Sequence, residues 1–233
     1  MQAPAAPSVP TSGEPRLAIL VSGRGSNMRA IVEAARAERW PARFVMVLAH
    51  RDNIPAVASA RALGLPVRIL PLNGALDRSA QDRELGDCLQ AEAIDWVVLA
   101  GYMRILSAGF VRRYAGRLVN IHPSLLPAFP GLHTHRRALQ AGVKVHGATV
   151  HLVDIDVDSG PILGQAVVPV RAGDDEVSLG ERVLQAEHRL YPRVLRALLE
   201  GRLRGGEGDS ARREPGPDGL ATDDPLLDLA ALR

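Results

Sequence analysis

Short apolar runs separated by stretches long enough for a crossover helix constrain this chain more than any other feature. The runs are Leu17 to Val21, Phe44 to Ala49, Val67 to Leu70, Trp96 to Ala100 and Leu118 to Ile121. Several are apolar at consecutive positions. That is the pattern of parallel strands covered on both faces, whereas a one-sided sheet alternates apolar with polar. Asn27 to Arg39, Ile54 to Leu63 and Leu76 to Ala93 read as the intervening helices. Gly64, with Pro66 beyond it, punctuates a helix end. Repeated strand–helix–strand units predict an α/β fold, a Rossmann-like open and mostly parallel sheet with helices on both faces. After Ile121 the rhythm changes. Val143 to Val153 and Ile162 to Val170 predict a C-terminal antiparallel strand pair, joined by the turn-rich Asp154 to Pro161. A long helix follows, with Leu179, Val183, Ala186, Leu190, Val194 and Ala197 on one stripe. Pro192 lies inside that stripe and predicts a kink or a break.

The folded domain is expected over residues 16–203. Residues 1–15 are rich in Pro, Ala, Ser and Thr, and residues 204–233 in Gly, Asp, Arg and Pro, so both are expected to be disordered. A short apolar patch at Leu226 to Leu232 is the exception in the tail. At 46% hydrophobic and 23% charged, the 233 residues can bury a core without staples. Cys88 is the single cysteine, which excludes an intramolecular disulfide and an all-cysteine metal site. A net charge of +2 with no basic cluster, and few aromatic side chains, exclude a nucleic-acid surface. The longest apolar run, Trp96 to Ala100, is far short of the ~20 residues of a membrane span. The amino terminus lacks the charged and apolar regions of a secretory signal. The expectation is a cytoplasmic enzyme of small molecules, monomeric or homodimeric.

Ser22-Gly23-Arg24-Gly25-Ser26-Asn27 follows the first strand and opens the first helix. Free backbone N–H groups and the helix dipole make such a loop a phosphate cradle. The dinucleotide fingerprint would place its third glycine at Met28, and no Gly-Lys-Ser/Thr follows, so a monophosphate fits better than a dinucleotide or a P-loop. The competing reading is a tight strand-to-helix turn with Ser26 as N-cap.

Asn120-Ile121-His122-Pro123-Ser124-Leu125-Leu126-Pro127 is the most telling stretch. Strand alternation puts Asn120 and His122 on one face, and Pro123 ends the strand. An amide and an imidazole then stand side by side at the carboxyl end of a buried strand, where open α/β sheets bind ligands. Together they can hold an oxyanion, and the histidine can carry a proton. A carboxylate from Asp154, Asp156 or Asp158 would complete the set. The bland alternatives are a core histidine satisfied by the backbone and solvated loop acids. A serine hydrolase is disfavoured because Gly-x-Ser-x-Gly is absent. His122, His133, His135, His146 and His151 include no His-Glu-x-x-His, so no metal is expected.

The stretch NIHPSLLPAFPGLHTHRRAL, Asn120 to Leu139, resembles the signature of the glycinamide ribonucleotide formyltransferases, folate-dependent enzymes of purine biosynthesis. SGRGSN at Ser22, LAGYMRIL at Leu99, HGATVHLV at His146, DSGPIL at Asp158 and AEHRLYP at Ala186 occur in family order. The resemblance covers about Arg16 to Leu203. Methionyl-tRNA formyltransferases share the Asn-x-His-Pro-Ser-Leu-Leu-Pro core but continue differently and carry a tRNA-binding domain. Formyltetrahydrofolate hydrolases add a regulatory domain ahead of the core. The resemblance implies formyl transfer from 10-formyltetrahydrofolate, a co-substrate, to 5-phosphoribosyl-glycinamide. It implies Asn120, His122 and Asp158 as catalytic residues. It places the nucleotide and its phosphate on Gly25, Ser26, Asn27 and Glu187, and folate on Arg78, Met103, Arg104, Ile105, Leu106, Asn120, Asp154 and Asp158. A hydrolase, a folate- or sugar-phosphate-sensing protein and an NAD-linked dehydrogenase are the competing functions; Met28 disfavours the last.

Overall fold

A computed structural model describes residues 13–203; the expectations for the two termini lie outside the described residues, apart from Gly13 to Pro15. Seven strands form one sheet: β1 (Arg16–Val21), β2 (Arg43–Ala49), β3 (Val67–Ile69), β4 (Trp96–Leu99), β5 (Leu118–His122), β6 (Val145–Leu152) and β7 (Ile162–Pro169). Their order is β3-β2-β1-β4-β5-β6-β7. β1 to β5 pair in parallel, and β6 and β7 add antiparallel. The predicted mixed sheet is therefore present. The helices are α1 (Ser26–Glu38), α2 (Pro55–Ala62), α3 (Arg78–Ala91), α4 (Ala108–Arg113), α5 (Thr134–Gln140) and α6 (Glu176–Leu199).

Because successive strand residues face opposite sides, β1 feeds two cores. Leu17, Ile19 and Val21 pack with α1, α2 and α6, whereas Ala18 and Leu20 pack with α3 and α4. This explains the unbroken apolar runs. The chain order reverses between β1 and β4, the switch point at which such sheets open a crevice.

Two local expectations are corrected. Gly25, not Ser26, is the N-cap of α1, and no side chain caps that helix. Of the kink or break expected at Pro192, the break does not occur: α6 runs continuously from Glu176 to Leu199. Proline removes one intrahelical bond, but Tyr191, Val194 and Leu195 are buried around it and hold the helix on the sheet. The short helices α4 and α5 are too brief to show an apolar period in the sequence.

Candidate active site

The loops after β1 and β4 flank the switch point, and the end of β5 lies beside them. A cavity of about 680 Å³ opens there, walled by Asn27, Tyr102 to Leu106, Asn120 to Pro123, Gly131 to His135, His151, Val153 to Asp158 and Glu187. Asn120 and His122 share one face at the end of β5, as alternation predicts. Antiparallel pairing sets His151 opposite Asn120 and Thr149 opposite His122 on the same face.

Polar contacts tie these groups into one chain. His122 Nδ1 is 3.3 Å from Asp158 Oδ2, and its Nε2 is 3.1 Å from the Phe129 carbonyl oxygen. A carbonyl only accepts, so the Nε2 proton points at Phe129. Nδ1 then faces a carboxylate oxygen, an arrangement that is attractive only with a proton between them. Asp158 Oδ1 lies 3.8 Å from His151 Nε2. His151 Nδ1–H donates to the Leu152 carbonyl at 2.8 Å, leaving Nε2 to accept from the Asn120 amide at 3.2 Å. Burial, the largest effect on His151, lowers its pKa and keeps it in that neutral tautomer. Among the described residues, the second amide proton of Asn120 has no partner.

The backbone is bent to bring these groups together. Phe129, His133 and Asp158 adopt left-handed φ values of 54°, 57° and 55°, a region costly for non-glycine residues and concentrated at functional sites. Asp158 Oδ2 also accepts the Gly131 N–H at 2.8 Å, joining the β6–β7 loop to the segment after β5.

Glu187 comes from α6. Tyr191, one turn later and fully buried, places its hydroxyl 3.0 Å from both the Leu99 and Val119 carbonyls, fixing α6 against the ends of β4 and β5. Glu187 is 7% exposed and accepts from Asn27 Nδ2 at 2.6 Å. Burial pushes its carboxyl pKa up, and the Asn27 bond opposes that.

The remaining expected nucleotide residues divide between two cavities. Gly25 and Ser26 line a second one of about 530 Å³, with Arg24, Arg29 and His188, whereas Asn27 and Glu187 line the larger. The two meet at the start of α1. Gly25 has φ 78°, and a Cβ there would lie 2.8 Å from Ala56, so both conformation and close approach require glycine. His188 Nε2 is buried without a hydrogen bond. Its only sequence signal is adjacency to Glu187.

Of the expected folate residues, Met103, Arg104, Ile105, Leu106, Asn120, Asp154 and Asp158 all wall the larger cavity. Arg78 stands exposed at the start of α3 and is not on that wall. His151, whose Nε2 accepts from Asn120, carries no sequence signal beyond its metal-ligating potential; the pairing of β5 with β6 is what sets it opposite Asn120. His133 lies on the wall, and His135 Nδ1 is 3.2 Å from His146 Nε2.

The formyl transferase family model matches residues 15–195. The chain is 43% identical over 211 residues to phosphoribosylglycinamide formyltransferase of Escherichia coli, covering 89% of this chain and 99% of that protein. It is 45% identical over 188 residues to the trifunctional purine biosynthetic protein adenosine-3 of Drosophila melanogaster, covering 80% of this chain but only 14% of that much longer one. A crystal structure of glycinamide ribonucleotide transformylase 1 from Symbiobacterium toebii superposes with a TM-score of 0.79 at 42% identity, over 88% of this chain and 96% of that one.

Proposed function

The chain belongs to the formyl transferase family, and on that footing we propose that it moves the formyl group of 10-formyltetrahydrofolate to the amine of 5-phosphoribosyl-glycinamide. The products are formylglycinamide ribonucleotide and tetrahydrofolate, a step of de novo purine biosynthesis. The observation that carries this reading is the convergence of Asn120, His122 and Asp158 on one cavity whose other wall holds Asn27 and Glu187. Formyl transfer requires oxyanion donors, a proton carrier and an amine site within one enclosure.

In this reading the nucleotide phosphate lies on Gly25, Ser26 and Asn27, where uncapped first-turn N–H groups and the positive end of α1 face it. Arg24, Arg29 and His188 border the same cavity. Buried Glu187 holds the glycinamide end. The folate ring occupies the apolar wall of Met103, Ile105 and Leu106, bounded by Arg104 and by the loop carrying Asp154 and Asp158.

The amine attacks the formyl carbon directly. The new N–C bond forms as the carbonyl electrons move onto oxygen, and Asn120 and His122 stabilise that oxyanion. His122 serves as a cation held by Asp158; its Nε2–H exchanges the Phe129 carbonyl for the oxyanion. The bond to the folate nitrogen then breaks, and the proton lost by the amine reaches that nitrogen with help from Asp158. No covalent enzyme intermediate is required.

A hydrolase delivering formyl to water would be indifferent to the phosphate loop. Ser26→Ala therefore separates the two: the reading expects a raised KM for the nucleotide with an unchanged KM for folate. Equal turnover by Ser26→Ala at every nucleotide concentration would contradict it.

A further inference from the structure

Beneath the folate-facing wall lies a polar network that the proposed chemistry does not use. His50 stands just past β2, Gln81 and Asp82 on α3, and Tyr102 and Arg104 just past β4. His50 Nδ1 is 2.7 Å from the Leu70 carbonyl oxygen, an acceptor only, so its proton sits on Nδ1. Nε2 is then a lone-pair acceptor. It receives the Tyr102 O–H at 2.6 Å and an Arg104 N–H at 3.1 Å. Arg104 also donates to Gln81 Oε1 at 3.0 Å and stands 3.6 Å from Asp82. Asp82, 1% exposed, accepts the Ser107 N–H at 2.6 Å.

The segment between these anchors has two faces. Tyr102 and Leu106 are buried, whereas Met103 and Ile105 are 69% and 56% exposed. Two apolar side chains so exposed have little packing of their own to fix them; the segment is held by the Met103 N–H bond to Ser22 Oγ at 3.1 Å and, from below, through Tyr102 and Arg104.

We propose that neutral His50 is a positioning residue that sets Met103 and Ile105 against the folate ring, and so governs folate affinity rather than the chemical step. The inference rests on the folate reading of the cavity. Electrostatics favour the same state. A second proton on His50 would abolish both acceptor bonds and place a cation against Arg104, with Asp82 the acid facing it. Burial, then Arg104, lowers the His50 pKa against the opposing Leu70 bond and Asp82. Burial also raises Tyr102 to about 12.

The test uses the full chain with His50→Ala, His50→Gln and Tyr102→Phe, read by equilibrium binding of tetrahydrofolate and by steady-state kinetics. His50→Ala is expected to raise the folate Kd and KM about tenfold, and Tyr102→Phe about threefold, with kcat and the nucleotide KM within about twofold. His50→Gln, whose amide keeps an acceptor and a donor, recovers part of the loss. As pH falls below about 6.5 the wild-type folate Kd rises more steeply than that of His50→Gln. If His50→Ala does not fold, Tyr102→Phe, which deletes one hydroxyl, carries the test. A wild-type chain that binds no tetrahydrofolate removes the folate reading itself and the inference with it. Wild-type binding matched by folded Tyr102→Phe and His50→Ala overturns the inference alone, as does a fall in kcat at unchanged folate Kd.

Discussion

Asp158 reaches His122 across 3.3 Å from a loop that begins where β6 ends, and it does so from a left-handed backbone with φ 55°. The same carboxylate holds the Gly131 N–H and faces His151. One side chain thus locks the imidazole and the segment after β5 into a single geometry.

Asp158→Asn tests the charge alone, because asparagine tolerates the left-handed region. Its kcat is expected to fall at least about 100-fold, the scale of losing electrostatic support at an oxyanion. Steady-state kinetics decide: a change confined to KM would make Asp158 a binding residue.

Asn120→Ala and His122→Ala should each lose about 10²–10³ in kcat while still binding tetrahydrofolate. The double variant should be little slower than the worse single one, since groups acting as a unit are not additive. Near-normal turnover by both single variants would refute the roles assigned to them.

Gly25→Ala forces a side chain into left-handed space and against Ala56. The strain is about 1–2 kcal/mol, so Tm falls. The nucleotide KM rises because the phosphate loop shifts, and tetrahydrofolate binding stays unchanged. Calorimetry and a KM determination check the two halves separately.

Glu187 is buried, and burial raises its carboxyl pKa. A raised pKa means the fold favours the neutral form. That stabilising contribution is complete below the unfolded carboxyl range and is lost as pH rises through the folded value. Glu187→Gln, permanently neutral, is therefore expected to melt higher than the wild type at about pH 8. The same change weakens nucleotide binding by removing the anion that faces the glycinamide end. A lower Tm would show that the charged form is the one the fold stabilises.

Burial, with His135 and His122 adding to it, lowers His146 from 6.5 to about 4. Burial also lowers His50, His135, His151 and His188. These rings stay neutral in the fold but take up protons when unfolded. Their contribution is present above the unfolded value of 6.5 and is lost as pH falls from there through about 4. Denaturant midpoints should decline across that window, and His146→Gln should decline less steeply.

Much of this was legible in the residues. The consecutive apolar runs predicted a doubly covered parallel sheet because Leu17 to Val21 must satisfy a core on each face. Asn120 and His122 declared themselves through alternation before a proline. What stayed hidden was what only pairing register and close packing decide. His151 is opposite Asn120 because β6 runs antiparallel to β5, and no local pattern fixes that register. The His50–Tyr102 bond joins two loops brought together by β2, β1 and β4 lying side by side. Pro192 does not break α6 because local propensity yields to tertiary burial.

The central claim is that the cavity joins a formyl donor to an amine acceptor. The most direct test follows labelled formyl from 10-formyltetrahydrofolate, with and without 5-phosphoribosyl-glycinamide. The account predicts folate deformylation that requires the nucleotide and label recovered in the formylated nucleotide. Deformylation at the same rate without the nucleotide, with label released as formate, would contradict it.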